Sequence, residues 1–155
     1  MSLTPSTMLA LGTKAPDFSL PDQEGAERRL TDFRNKIVLL AFYPFDFSPV
    51  CTTEFKCFED DLSELKELNV QVIGISVDSK YSHKEFAAKH GLTFPLLSDF
   101  GRSVSRLYGT LRDDGFSNRA YFIIDRHGIL KFKKIMEAPK ERMESRDIIK
   151  TLKKI

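Results

Sequence analysis

The sequence predicts an α/β sandwich, a central mixed sheet with helices on both faces and an N-terminal hairpin. Three observations lead there. A continuous apolar run, Ile37–Phe42, and a second strand-like run, Val70–Val77 with Val72, Ile73, Ile75 and Val77, are separated by a stretch of helical period, the order of two buried parallel strands joined by a crossover helix. Two more strand-like runs, Ala120–Asp125 and Ile129–Lys134, meet across Arg126-His-Gly128 and read as a hairpin. The chain has 155 residues, 41% hydrophobic and 30% charged, which suits one domain, 1–155, whose core its thirteen Phe can supply.

In chain order, Asp17-Phe-Ser-Leu20 and Glu27-Arg-Arg-Leu30 flank the turn-forming Pro21-Asp-Gln-Glu-Gly25 and form the small first hairpin. Ile37–Phe42 is a strand covered on both faces, and it ends at Pro44. From Pro49 to Leu68 the residues Phe55, Phe58, Leu62 and Leu65 recur at spacings of three and four, the period of a helix with one buried face. Asn69 stops it. Val70–Val77 is the next strand, and Ser79–His90 a helix whose exit Gly91 marks. Phe94-Pro-Leu-Leu97 adds a short strand and Ser103–Leu107 a short helix. After the second hairpin a helix spans about Lys140–Lys154.

Charge and composition exclude several classes. A net charge of +2 argues against a nucleic-acid binder, and the nine basic residues between Lys131 and Ile155 interleave with four acidic ones, as on a solvated helix face. No apolar run approaches the roughly 18–20 residues of a membrane span. Met1–Ala10 lacks the basic start and apolar stretch of a signal peptide, so a cytoplasmic protein without a membrane partner is expected. His83, His90 and His127 are scattered and point to no metal; His90, just before Gly91, suits a helix C-terminus where a partly cationic ring is favoured. Two cysteines, six residues apart, are too few for a disulfide scaffold, so their use is chemical.

The informative segment is Phe42-Tyr-Pro-Phe-Asp-Phe-Ser-Pro-Val-Cys-Thr-Thr-Glu54, where a buried strand ends and the longest helix begins. Active sites of open α/β sheets lie at such strand ends. Pro49 suits the first helical position and forces Ser48 into the extended conformation of an N-cap. Cys51 is then the third helical residue, in the turn where unpaired N–H groups concentrate positive potential and favour a thiolate. A small buried hydrophobe is the plainer reading of a free cysteine.

Pro44, Ser48 and Cys51 stand at relative positions 0, +4 and +7, and this spacing resembles the peroxiredoxin motif Pro-x-x-x-Thr/Ser-x-x-Cys. Phe42-Tyr-Pro, Asp46-Phe47, Val50-Cys-Thr-Thr-Glu54 and Phe94-Pro-Leu-Leu-Ser-Asp99 also resemble that family, over roughly Leu11 to Lys134 and nearest the bacterioferritin-comigratory type. The resemblance implies a thioredoxin-like sandwich and a thiol peroxidase without a bound cofactor, re-reduced by a thioredoxin-like or other external thiol. It places the family's distant arginine at Arg119, in Ser117-Asn-Arg-Ala-Tyr-Phe122, and implies that Glu54 orients an arginine. Arg119 would hold the Cys51 thiolate and stabilise the peroxide oxygens. Ser48 would both cap the helix and donate to the peroxide, while Pro44 shields the sulfur from water.

Ser48 departs from the commoner threonine but keeps the hydroxyl. Cys57 departs further, because relatives that resolve within this helix carry the second cysteine five residues on, and here it is six. Six helical residues rise about 9 Å, beyond the ~7 Å Cα limit of a disulfide, so Cys57 is either a resolving thiol that requires unwinding or a structural core cysteine. A thioredoxin-type oxidoreductase would need two thiols separated by two residues. A redox sensor or holdase relaying Cys51 oxidation to a partner would share the same sulfenic acid. Phe45, Phe47, Phe100, Tyr108 and Phe116 fall in loops near this site and could close a dimer interface, leaving monomer and homodimer both open.

Overall fold

The computed structural model describes residues 9–155, so most of the Met1–Ala10 stretch considered above for a leader lies outside the described residues. Strands β1 (Ser19–Pro21) and β2 (Glu27–Arg29) pair antiparallel as the expected hairpin. The turn is organised by Asp22, whose carboxylate accepts from the amides of Glu24 at 2.8 Å and Ala26 at 3.0 Å and from Arg28 Nε at 2.8 Å. A short 3-10 turn over Leu30–Phe33, which the apolar pattern does not signal, leads into the main sheet.

That sheet has the order β5-β4-β3-β6-β7. Its centre is β3 (Ile37–Phe42), parallel to β4 (Val70–Ser76) on one side and antiparallel to β6 (Ala120–Ile124) on the other. The short β5 (Leu96–Ser98) extends the parallel side, and β7 (Leu130–Ile135) the antiparallel side. The helices are α1 (Pro49–Asp60), α2 (Leu62–Glu67), α3 (Lys80–His90), α4 (Ser103–Leu107) and α5 (Ser145–Leu152). Among the described residues no helix is long and apolar enough to cross a membrane.

Strand alternation divides the apolar side chains into two cores even where the sequence is apolar without a break. Leu39, Ala41, Val72, Tyr121 and Ile123 face Phe55, Phe58, Leu65, Phe86, Ile148 and Leu152 from the helices α1, α2, α3 and α5. Val38, Leu40, Phe42, Ile73 and Phe122 face the hairpin side, with Phe18, Leu20, Val104 and Tyr108. The expected sandwich with a mixed sheet is therefore observed.

Two helices differ from the reading of their sequence. The Pro49–Leu68 helix breaks at Asp61 (φ −93°, ψ 7°), whose carboxylate takes the Ser145 hydroxyl at 2.8 Å. The apolar spacing runs on through this point, so a contact with α5 sets the kink and the periodicity cannot show it. The C-terminal helix begins at Ser145 rather than near Lys140 because the preceding residues are drawn inward, with the carbonyls of Pro139 and Glu141 accepting from Arg119 at 2.9 Å each.

Gly74 in β4 decides how closely α1 approaches the sheet. A Cβ there would stand 2.7 Å from Phe55 Cε2 and 2.9 Å from Leu96 Cδ2. The Phe55 ring cannot retreat, being packed at 4.4 Å from the Tyr43 ring and 5.5 Å from that of Phe94. Gly74→Ala is expected to destabilise the protein by about 1–3 kcal/mol through overpacking, measured by urea unfolding. An unchanged midpoint would show that α1 has slack against the sheet.

Candidate active site

The end of β3 and the start of β6 build the site between them. The register Phe42↔Ala120 places Arg119 just beyond the last strand pair, beside Tyr43, whose amide still bonds to the Ile75 carbonyl at 3.0 Å. Period-two alternation then puts Arg119 and Tyr121 on the face that carries α1. The chain turns into α1 at Phe47, whose φ of +68° is unusual for a bulky residue. Ser48 follows with extended geometry (φ −67°, ψ 145°) and Pro49 takes the first helical position, as the sequence reading expects. One expectation fails: the Ser48 hydroxyl makes no capping hydrogen bond. Its helix-side role is carried by the backbone carbonyl, which accepts from the Thr52 amide at 2.9 Å.

Cys51 is fully buried, and Arg119 Nη2 donates to its Sγ at 3.1 Å. The same guanidinium donates from Nη1 to Glu54 Oε1 at 2.7 Å, from Nε to the Glu141 carbonyl and from Nη2 to the Pro139 carbonyl. The second Glu54 oxygen takes the Tyr121 hydroxyl, which itself accepts from the Met143 amide at 3.2 Å. Burial raises the Glu54 carboxyl above its ordinary range, against the opposing pull of Arg119, the Tyr121 hydrogen bond and Arg142. Burial also works against the Arg119 cation, but Glu54 and the Cys51 sulfur outweigh it, and its net shift is upward. Burial first, then the Glu54 charge, pushes the Tyr121 phenol well up. A permanent cation thus stands at hydrogen-bond distance from a buried sulfur.

Of the residues singled out from the sequence, Cys51, Glu54 and Arg119 come together in direct contact, with Pro44 buried and Ser48 partly exposed in the loop ahead of them. Cys57 lies in the same unbroken helix as Cys51, and both thiols are free. Six residues of rise, about 9 Å, keep the sulfurs from bonding in this conformation.

Several contacts were not legible beforehand. Tyr121 could have been found from its period-two relation to Arg119; the carbonyls of Pro139 and Glu141 carry no such signal. His83 is not an isolated histidine: it converges with Asp46 and Asp78, their candidate ligand atoms within 4.8 Å of one another. His90 does not favour the cationic ring, because slight burial and the charges of Lys56 and Lys89 lower it. Tyr108 is no interface residue, being buried against Phe18, Phe42 and Phe122 with its hydroxyl on the Pro16 carbonyl at 2.6 Å. Phe45, Phe47 and Phe100 are exposed, and Phe116 packs at 4.8 Å against Phe45.

Arg119→Met leaves Glu54 as a buried carboxylate without its cation and is expected to cost about 3–5 kcal/mol in urea unfolding. Amide exchange at Met143 is expected to accelerate as the 137–144 segment is released. Adding Glu54→Gln to the same chain is expected to recover part of the loss; a double variant no more stable than Arg119→Met would contradict the pairing.

Comparison with known proteins gives a consistent result. The family described as AhpC/TSA matches residues 11–133. A putative peroxiredoxin ycf42 of Pyropia yezoensis is 42% identical over 137 residues, 82% of this chain and 69% of the relative. A chloroplastic 2-cysteine peroxiredoxin of Chattonella marina var. antiqua is 43% identical over 134 residues, 79% of this chain and 69% of the relative. Among solved structures, the peroxidoxin BcpB from Mycobacterium tuberculosis superposes with a TM-score of 0.86 at 30% identity, covering 95% of this chain and 98% of the other. The reduced 2-Cys peroxiredoxin of Plasmodium vivax superposes with a TM-score of 0.85 at 34% identity, covering 92% and 80% respectively.

Proposed function

The chain belongs to the AhpC/TSA family and is a peroxiredoxin, a thiol peroxidase, and on that premise we propose that Cys51 is the thiol that accepts the peroxide oxygen. The observation that carries this reading is the Arg119 Nη2 donor 3.1 Å from Cys51 Sγ, its guanidinium held from the other end by Glu54 at 2.7 Å. The substrates are hydrogen peroxide and small organic hydroperoxides.

The Cys51 thiolate attacks the nearer peroxide oxygen. The S–O bond forms as the O–O bond breaks, and the far oxygen leaves with the electron pair, taking up a proton as water or alcohol. Negative charge spreads along this line, and Arg119 is already oriented to receive it, since its Nε, Nη1 and Nη2 are all committed to fixed acceptors. The Ser48 hydroxyl, which makes no capping bond, donates to the peroxide. Buried Pro44 offers no donor and limits water at the sulfur.

The product is a sulfenic acid at Cys51. Its reduction takes an external thiol, of thioredoxin-like type, acting directly or after a Cys51–Cys57 disulfide has formed. The second route requires the first turns of α1 to unwind. We place the protein in the cytoplasm, where both cysteines would stand reduced between cycles, as a single domain acting as monomer or homodimer.

Peroxide consumption with a dithiol reductant tests the assignment. Cys51→Ser is expected to abolish it, and Cys57→Ser to leave the first oxidation intact. Ser48→Ala is expected to slow it roughly 100-fold, the scale of one lost transition-state donor, while Ser48→Thr keeps the rate. Activity persisting in Cys51→Ser would sink the reading.

A further inference from the structure

His83 takes no part in the reaction above, yet its ring is entirely removed from solvent. Its hydrogen bonds fix its orientation. Nε2 lies 3.1 Å from the Leu97 carbonyl, which can only accept, so Nε2 carries a hydrogen. Nδ1 lies 2.8 Å from Asp46 Oδ2 and 3.2 Å from the Tyr43 hydroxyl oxygen. The Tyr43 hydrogen points to Asp46 Oδ1 at 2.6 Å, and the Ser82 hydroxyl donates to Asp46 Oδ2 at 2.8 Å. Asp46 thus accepts on both oxygens, and one hydrogen between Nδ1 and Oδ2 completes the ring's contacts. The result is a buried His83–Asp46 pair whose polar atoms are satisfied within the protein.

Asp78 completes the cluster, its Oδ2 accepting from the Ser76 hydroxyl at 2.6 Å and from the Asp46 backbone amide at 2.8 Å.

Asp46 is held by its side chain to α3 and by its amide to the end of β4, and it stands between Pro44 and Ser48. The next residue, Phe47, has a φ of +68°. A bulky residue persists in that region only where its surroundings over-determine it, and the grip on Asp46 is such a constraint. We propose that His83 is a positioning residue for the peroxide reaction: its ring clasps Asp46 and so fixes the Pro44–Ser48 segment ahead of Cys51. The inference rests on Cys51 being the reacting thiol.

The test is stopped-flow oxidation of the reduced protein by hydrogen peroxide, in wild type, His83→Gln, Asp46→Asn and the double variant. His83→Gln breaks the buried pair and is expected to slow oxidation at least about tenfold, because small misplacements of positioned groups cost rate steeply. The double variant replaces the pair with an amide–amide hydrogen bond and is expected to return within about threefold of wild type, the signature of direct coupling. Alkylation by iodoacetamide, which needs the thiolate but not the peroxide pocket, is expected not to slow in His83→Gln. A wild-type rate in His83→Gln, no recovery in the double variant, or an equal fall in alkylation would overturn the clasp. Should His83→Gln fail to fold, Ser82→Ala removes one donor to Asp46 and is expected to slow oxidation about threefold; an unchanged rate there also overturns it. Cys51→Ser run alongside separates the two readings, since peroxide consumption in that variant would sink the reacting thiol itself, whatever His83 does.

Discussion

A guanidinium with only 1% of its side chain exposed must find acceptors for its hydrogens inside the protein, and Arg119 finds them on two distant parts of the chain. Glu54 and Cys51 come from α1, and the carbonyls of Pro139 and Glu141 from the segment before α5. Each would be a liability alone: a buried carboxylate, a buried sulfur without a donor and carbonyls without donors. Gathered around one cation they satisfy one another. Arg119 thereby ties β6, α1 and the segment before α5 together around the Cys51 sulfur.

The scaffold makes this convergence possible by placing strand ends side by side. Antiparallel pairing of β3 with β6 delivers Arg119 next to Tyr43, while parallel pairing of β3 with β4 delivers Asp78 next to Asp46. One strand end therefore supplies two polar networks, one at the sulfur and one at the loop ahead of it. Gly74 lets Phe55 lie against the sheet, which sets the height of α1 and with it of Cys51 and Glu54. Function here follows from register and close packing as much as from the reacting side chains.

Much of this was legible in the residues. The Ser48-Pro49 step specifies a helix start, so Cys51 falls in the first turn, and Gly91 with φ +64° ends α3 as its position suggests. What stayed hidden depends on contacts distant in the chain. Asp61 kinks where Ser145 reaches it, although the apolar spacing continues. Residues 140–144 read as the start of the C-terminal helix, but Arg119 takes the Glu141 carbonyl and Tyr121 the Met143 amide instead. His83 looks solitary because its partners lie 37 and 5 positions away and meet it only after β3 and β4 pair.

The central claim, that Arg119 and Glu54 make Cys51 the peroxide-reactive thiol, is tested most directly by where one equivalent of peroxide leaves its oxygen. Reduced wild-type protein is treated without added thiol and without prior alkylation, digested, and mapped by mass. The account requires the change at Cys51: a gain of about 16 or 32 Da on its peptide, or a loss of about 2 Da joining it to Cys57. Oxidation at Cys57 with Cys51 untouched would contradict it.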